Sequence, residues 1–209
     1  VISEVMPSNA KYMIQDDGEY YDWVELMNVS ESSIRLSDYA LSDDPNELHK
    51  FILPDVTLEP GEHYVIICSG NEQLSGNFIH APFTLSAEEC WVYVTDTKGK
   101  ISDLMCVRDV PEQGSMGRAD GRGGVWYFQK PTPGNPNGAG VALVSKAPEV
   151  LTRSGIYEGV TEVSVELRGS GTLYYTLDGS IPTKEDAQYY GPVTLKNTGV
   201  LRVVCYEED

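Results

Sequence analysis

Short apolar runs, divided by turn-forming residues, recur along the whole chain about every 8 to 15 residues. The run Val163-Ser164-Val165-Glu166-Leu167 alternates apolar and polar residues strictly, which is typical of an antiparallel strand with one buried face. Helical periodicity is nearly absent, and the polar segment 40–50 allows a single helical turn at most. The pattern predicts an all-β fold.

The apolar runs predict strands at 2–6, 23–28, 34–36, 39–42, 50–52, 63–68, 91–95, 101–107 and 124–128, and later at 155–157, 163–167, 172–177, 193–195 and 200–206. The run Thr95-Asp96-Thr97-Lys98-Gly99-Lys100 predicts a hairpin turn in which Gly99 adopts a positive φ. The glycine-rich segment 115–124 is interpreted as a surface loop between two edge strands.

A proline-rich run at 130–138 divides the two strand series, because proline lacks the N–H group that a central strand donates. We interpret it as an arm that closes a first domain. The predicted organisation is a first sandwich at 1–138, a linker at 139–146 with a short strand near 141–145, and a small sandwich at 147–209. Many short strands with regular turns favour sandwiches over βαβ units.

The formal net charge is −17, both halves are acidic, and no run of Lys or Arg occurs. Nucleic acids and anionic membrane surfaces are therefore disfavoured as partners. No stretch reaches the ~18 apolar residues that a membrane span needs, so membrane insertion is not expected. The chain begins and ends in strand-like runs, and we expect it to be a piece of a longer, exported protein.

Four cysteines lie singly in apolar runs, without the paired spacing of a metal finger. Free, buried thiols are the simplest interpretation of Cys68, Cys90, Cys106 and Cys205. A disulfide between Cys90 and Cys106 across the predicted hairpin is the alternative, since the sequence does not fix the strand register.

Four sequence blocks in residues 1–138 resemble the lamin-tail domain family, which implies an immunoglobulin-like β-sandwich. The blocks are Ile2-Ser3-Glu4-Val5-Met6-Pro7-Ser8-Asn9, Asp22-Trp23-Val24-Glu25-Leu26-Met27-Asn28, 36–44, and Gly117-Arg118-Ala119-Asp120-Gly121 through 131–136. The animal lamin tail is associated with chromatin and protein partners, but the acidic charge argues against DNA here.

The second segment resembles the small immunoglobulin- or fibronectin-III-like domain at the C-terminus of chitobiases. The residues that carry this resemblance are 171–183, Tyr190-Gly191-Pro192-Val193 and Val200-Leu201-Arg202. The pair is similar to architectures of bacterial exported proteins in which a spore-coat-protein-H-like kinase domain follows, beyond Asp209. Neither family brings a catalytic motif.

Loop carboxylates are the ligands that Ca²⁺ prefers, so Asp16, Asp17, Asp22 and Glu25 are weak calcium candidates. The alternative is a solvated acidic face with turn-forming aspartates. Strand alternation places Trp23 and Glu25 on one face and Val24 and Leu26 on the other. No other cofactor is predicted.

Trp126, Tyr127, Arg118 and Tyr189 are weak candidates for ligand binding, because aromatic rings can stack on a sugar or peptide. Core packing is the favoured alternative for the tryptophans, and Arg118 is expected to pair with a nearby acid. The three histidines are expected at surface or capping positions, and no nucleophile elbow is present, so we do not expect an enzyme.

The sequence thus favours a non-catalytic binding, adhesion or spacer module of a larger bacterial surface or secreted protein. Its expected partners are proteins or cell-surface glycans. The alternative is the accessory arm of an enzyme, kinase-like or glycan-active, whose catalytic domain lies outside this chain.

Overall fold

The computed structural model describes residues 1–72, 76–119, 124–142, 144 and 146–207. The chain divides into two compact units, Val1–Val144 and Ser145–Asp209. Both units are built from short strands, and the described helical structure is one 3-10 turn at Leu36–Asp38. The predicted all-β class is confirmed, with two immunoglobulin-like sandwiches in succession.

The first unit contains twelve of the described strands. They are β1 (Ile2–Met6), β2 (Asp22–Met27), β3 (Ile34–Arg35), β4 (Tyr39–Ser42), β5 (Phe51–Ile52), β6 (Thr57–Leu58), β7 (His63–Cys68), β8 (Ile79–Ala81), β9 (Glu89–Asp96), β10 (Ile101–Arg108), β11 (Ser115–Gly117) and β12 (Trp126–Phe128).

Two sheets form the sandwich of the first unit. One has six strands in the order β12-β11-β1-β2-β7-β8, and the other has four in the order β10-β9-β4-β5. Neighbouring strands are antiparallel except for β7 and β8, which run parallel. β3 and β6 pair separately.

The core of the first unit lies between these sheets. It joins side chains of the six-stranded sheet, such as Val24 and Ile66, to side chains of the four-stranded sheet, such as Leu41 and Val92. Apolar burial of this kind contributes roughly 25 cal/mol per Å² of surface removed from water.

The outer face of the six-stranded sheet is also buried, whereas antiparallel sheets commonly leave one face in contact with water. Trp23, Val65 and Ile67 form a second apolar cluster there, against which Tyr12 and Tyr21 pack. All five residues of β1 are buried as a result. The predicted alternation is confirmed, because Val24 and Leu26 face the sandwich core while Trp23 lies on the other side.

The second unit is a smaller assembly of seven described strands in three short sheets. The strands are β13 (Glu149–Val150), β14 (Val163–Val165), β15 (Leu167–Arg168), β16 (Thr172–Thr176), β17 (Ala187–Gln188), β18 (Val193–Leu195) and β19 (Arg202–Tyr206). They pair as β13-β15, β14-β18 and β17-β16-β19. The buried centre consists of Val165, Leu167, Leu173 and Cys205.

Most predicted strands are present with small shifts at their ends, and the predicted hairpin joins β9 and β10. Gly99 there has a φ of +80°, and its N–H donates to Asp96 O at 3.0 Å. The predicted strand at 155–157 is wrong, because Ile156 is 92% exposed and pairs with no other strand. The predicted linker strand near 141–145 lies partly outside the described residues, and Val141 bridges to Tyr127.

The prediction of a surface loop at 115–124 is wrong for residues 115–117, because they form β11, a buried strand between β12 and β1. Gly117 permits this pairing, since a Cβ atom at that position would lie 2.2 Å from Ser3 O. Residues 120–123 of the same segment lie outside the described residues.

All four cysteines are free thiols, as the simplest interpretation predicted, but only Cys68 and Cys205 are buried, whereas Cys90 and Cys106 are half-buried. Register explains why the predicted alternative fails: Cys90 pairs with Val107, and Cys106 pairs with Trp91. The two thiols therefore leave opposite faces of the sheet. Burial raises the pKa of Cys68 well above its ordinary value and also raises that of Cys90, so both stay protonated at neutral pH.

No helix among the described residues has the length and apolar character needed to cross a membrane.

Candidate functional site

Two carboxylates lie side by side on the covered outer face of the six-stranded sheet. Glu4 on β1 is the register partner of Glu25 on β2, and both side chains are fully buried. A buried carboxylate is costly unless hydrogen-bond donors surround it. The donors here come from His63 on β7, from Ser115 on β11 and from the proline-rich segment 130–138, which we name the closing arm.

Glu25 accepts hydrogen bonds through both carboxylate oxygens. Gly134 N in the closing arm donates to Oε2 at 2.5 Å, and His63 Nδ1 lies 2.7 Å from Oε1. The His63 side chain is only 6% exposed, and its Nε2 atom has no hydrogen-bond partner among the described residues. The prediction of a surface position for this histidine is wrong, because its ring lies against the buried carboxylate of Glu25.

Glu4 holds the other part of the closing arm. Its Oε2 atom accepts from Thr132 N at 3.0 Å and lies 3.1 Å from Thr132 Oγ1, and its Oε1 atom accepts from Ser115 Oγ. Burial raises the pKa of Glu4 above 4.5, and these donors oppose that rise because they favour the ionised form.

Asn137 completes the attachment of the closing arm. Its Nδ2 group donates to Ser3 O at 3.0 Å and to Arg118 O at 2.9 Å, and its Oδ1 atom accepts from Thr132 Oγ1 at 2.8 Å. Three side chains thus tie a segment without strand pairing to the sheet. The interpretation of the proline-rich run as an arm that closes the first unit is confirmed by these contacts.

Arg118, a predicted candidate for ligand binding, uses its side chain for hydrogen bonds inside the first unit. Its guanidinium donates to Asp103 Oδ1 at 2.8 Å and to Ile2 O. Asp103 in turn accepts from Ile2 N. The expected pairing with an acid is confirmed, and it fixes the start of β1.

The four calcium candidates occupy different environments. Asp17 accepts from Tyr21 OH at 2.8 Å, and this bond together with a backbone donor lowers its pKa. Asp22 accepts from Asn9 N at 3.2 Å, and burial raises its pKa. Asp16 approaches Gly76, and Glu25 lies under the closing arm. Within the described ranges, no three acidic, histidine or cysteine side chains are grouped so as to hold a metal ion.

His80 is buried, contrary to the predicted surface position, and its Nδ1 atom lies 3.0 Å from Ser69 Oγ. Burial lowers the pKa of His80, so the ring is neutral at pH 7. This is a Ser–His contact of the kind that nucleophilic catalysis uses. The adjacent Gly70 N–H donates to Phe83 O, so this amide is already engaged and does not provide an oxyanion donor.

The other aromatic candidates are partly buried. Trp126 and Tyr127 are half-buried on β12, and Tyr127 OH donates to Arg108 O at 3.2 Å, while burial raises the pKa of this phenol. Tyr189 packs against the core of the second unit, where its hydroxyl accepts from Leu167 N at 3.2 Å. Its neighbour Tyr190 is 87% exposed and lies at a shallow depression beside Gln188.

An aromatic pair with one exposed ring lies on the first unit, at a tryptophan for which core packing was the favoured prediction. Trp91 on β9 is 40% exposed, and its ring lies within 25° of parallel to that of Tyr93, with centroids 6.4 Å apart. The alternation in Cys90-Trp91-Val92-Tyr93-Val94 is the signal that could have revealed it, because Val92 and Val94 take the inner face.

A cavity of about 170 Å³ opens at one end of the first unit, with apolar walls that include Leu26, Leu36, Leu58 and Val94 and with Asp103 at its edge.

Comparisons with known families match both units. The family model described as Lamin Tail Domain matches residues 1–108, and the model described as Chitobiase/beta-hexosaminidase C-terminal domain matches residues 152–209. No curated protein and no solved structure matches the chain. The order of the two families is the predicted one, and the pair is typical of a binding or accessory module. The chain belongs to the Lamin Tail Domain family, and its second unit is similar to the C-terminal domain of chitobiase and β-hexosaminidase.

Proposed function

We propose that this chain is a non-catalytic, extracytoplasmic binding module of a larger bacterial surface or secreted protein. The observation that carries the proposal is that the buried carboxylates of Glu4 and Glu25 hold the closing arm. Glu4 and Glu25 are an adjacent acidic pair of the kind that glycoside hydrolysis uses, yet the closing arm, His63 and Ser115 fill their hydrogen-bonding positions. A substrate cannot reach these oxygens while the arm is in place.

A cell-surface glycan is the favoured partner. The net charge of −17 repels polyanions, which disfavours nucleic acid. The second unit is similar to a domain named after two sugar-cleaving enzymes, chitobiase and β-hexosaminidase. A glycan also suits the exposed aromatic rings, because their faces pack against apolar C–H surfaces while hydroxyl groups remain in water.

The proposal is tested by incubating the purified chain with insoluble cell-wall material and insoluble polysaccharides, then measuring the bound fraction after sedimentation. Duplex DNA at physiological salt serves as the comparison ligand. We expect retention by at least one glycan material and none by DNA. Tight DNA binding, or hydrolysis of a chromogenic hexosaminide by the purified chain, would contradict the proposal.

An accessory arm of an enzyme is the second candidate function, favoured by the similarity of residues 152–209 to a domain found in enzymes. The gene that encodes the chain distinguishes the two. A kinase-like or glycan-active catalytic motif in the same reading frame would support the accessory arm, and a stalk or surface anchor would support the adhesion module.

A further inference from the structure

The four-stranded sheet ends at β10, an edge strand of eight residues that pairs only with β9. In the hairpin that joins them, Asp96 N donates to Lys100 O, so every second residue of β9, counted back from Asp96, directs its backbone groups to β10. The residues of β10 that pair with these groups are the odd-numbered ones of 103–107. Three residues of β10 therefore direct their N–H and C=O groups away from the sheet: Leu104, Cys106 and Arg108.

Only the two ends of this edge are closed by other groups of the protein. Leu104 N donates to Asp103 Oδ1 at 2.9 Å, and Arg108 O accepts from Tyr127 OH at 3.2 Å. The remaining outward groups have no hydrogen-bond partner among the described residues, and they are Leu104 O, Cys106 N, Cys106 O and Arg108 N. Native edge strands are usually blunted by a charge, a proline or a bulge. The run 104–107 contains no charged residue and no proline, and the bulge of β10 lies before it.

The facing sheet extends past β10 and provides a floor beside this edge. β1 is the strand of the six-stranded sheet that lies against β10, so β11 and β12 lie beyond it. Because neighbouring strands are ~4.8 Å apart, these two strands extend about 10 Å past the edge. Met116 and Tyr127 are register partners on the core side of this overhang, and Tyr127 is half-buried. We name the space between the β10 edge and this floor the edge notch.

The charges beside the edge notch favour a basic ligand. Asp103 precedes the open positions and Asp109 follows them. Asp103 is paired with Arg118, whereas Asp109 forms no ion pair among the described residues. Burial and, after it, the charge of Asp109 raise the pKa of the Tyr127 phenol, so this carboxylate lies near the floor. The net charge of the chain, −17, likewise attracts basic segments and repels acidic ones.

We propose that the edge notch binds an extended, basic peptide of a partner protein as a fifth strand, antiparallel to β10. A peptide residue opposite Cys106 exchanges two hydrogen bonds with it, and the residues two positions away on either side meet Leu104 O and Arg108 N. The side chains between these positions face Tyr127 and should be apolar, and a basic residue should lie beside Asp109. A second copy of the chain does not fit, because its own β11 and β12 would overlap the floor. This inference goes beyond the proposed glycan binding and does not depend on it.

The probe is the blocked synthetic peptide Lys-Thr-Val-Thr-Val-Thr-Lys, titrated into the isotope-labelled whole chain while NMR follows amide shifts and hydrogen exchange. Without peptide, the amides of Cys106 and Arg108 should exchange rapidly, whereas those of Met105 and Val107 should be protected by the ladder to β9. Bound peptide should slow the first two. The same peptide with an N-methyl group on its central threonine lacks the donor for Cys106 O, so we expect it to bind at least about tenfold more weakly. Glutamates in place of both lysines should also weaken binding.

Cys106→Pro removes the outward N–H group without breaking the ladder to β9, because that N–H does not take part in it. It should weaken binding of the lysine peptide at least about tenfold, while the matched control Cys106→Val, which keeps the N–H, should stay within about twofold of wild type. If Cys106→Pro disturbs the fold, the N-methyl peptide gives the same test on the unchanged protein. Four results would overturn the peptide site and leave the glycan proposal standing: no binding at millimolar peptide, equal binding of the N-methyl peptide, a slowly exchanging Cys106 amide in the peptide-free chain, and a wild-type dimer paired through β10.

Discussion

The two units of this chain bury their strands in different ways. In the first unit the six-stranded sheet is covered on both faces, so that even the carboxylates of Glu4 and Glu25 lie out of contact with water. In the second unit the buried centre consists of four side chains, and large residues such as Ile156, Ile181 and Tyr190 remain exposed.

This difference shows where each unit obtains its stability. The first unit has a large apolar core and also joins segments far apart in sequence through buried polar side chains. The second unit depends on a much smaller apolar core between short strands. A small core of that kind contributes little stability in excess of the chain entropy. Core substitutions should therefore affect the second unit most, and polar substitutions should affect the first.

The largest expected effect follows from Leu173→Ala in the second unit. Removal of a buried leucine costs about 2–5 kcal/mol, and a domain of this size has only about 3–5 kcal/mol to lose. The second unit should unfold while the first remains native. All three tryptophans, Trp23, Trp91 and Trp126, belong to the first unit. Far-UV circular dichroism should therefore lose the unfolding transition of the second unit, while tryptophan fluorescence should still show the transition of the first.

Leu41→Ala is the matched change in the core of the first unit. It should lower the urea midpoint measured by tryptophan fluorescence, yet leave both units folded in buffer. If Leu173→Ala leaves the second unit folded, or if Leu41→Ala unfolds the first, the comparison between the units is wrong.

The next effect is expected for Glu25→Ala in the first unit. The change leaves His63 Nδ1, in a buried side chain, without an acceptor, and it removes the hydrogen bond from Gly134 N, which belongs to an exposed residue of the closing arm. One unsatisfied buried group costs about 1–3 kcal/mol, so the free energy of unfolding should fall by about that amount. Urea unfolding followed by tryptophan fluorescence is the measurement.

Glu25→Gln distinguishes the cause of that loss. The amide keeps one acceptor oxygen, so it should recover part of the stability that alanine loses. Equal stability of wild type and both variants would show that the arm is held by other contacts.

The smallest expected effect concerns the pH dependence contributed by Glu4. Burial raises the pKa of Glu4 in the folded state above its ordinary value of 4.5, so the folded state takes up this proton at higher pH than the unfolded chain. Ionisation of Glu4 therefore opposes folding, and the cost disappears as pH falls through the raised pKa toward 4.5. The free energy of unfolding should be measured for wild type and Glu4→Gln from pH 7 to 5. As pH falls, the stability of wild type relative to Glu4→Gln should increase.

A shift in the opposite direction would mean that the donors from Thr132 and Ser115 outweigh burial and that the folded state prefers the ionised form.

Local patterns in the sequence predicted much of the fold. Alternation placed Val24 and Trp23 on opposite faces of β2, and turn residues located the hairpin between β9 and β10. The prediction failed where a strand depends on a distant partner. In β11, position 117 has to be a glycine because the backbone of Ser3 lies too close for a side chain, and no local sequence pattern indicates that contact.

The same limit applies to the candidate site. Glu25 resembles a solvated acid in its own segment, and its cover comes from residues more than one hundred positions later, so local reasoning could not predict its burial. The outward position of Trp91 could have been predicted, because strand alternation places it on the opposite face of β9 from the core residue Val92. The sequence does not show how much of this outer face is covered, because that depends on how far the segment 43–50 extends over the sheet.

The claim that buried carboxylates hold the closing arm on the sheet is tested most directly by amide hydrogen exchange at Thr132 and Gly134. In wild type both amides donate to a buried carboxylate, so they should exchange far more slowly than the unpaired amides of an exposed loop. Protection should disappear at Gly134 in Glu25→Ala and at Thr132 in Glu4→Ala. Rapid exchange of both amides in the wild-type protein would contradict the account.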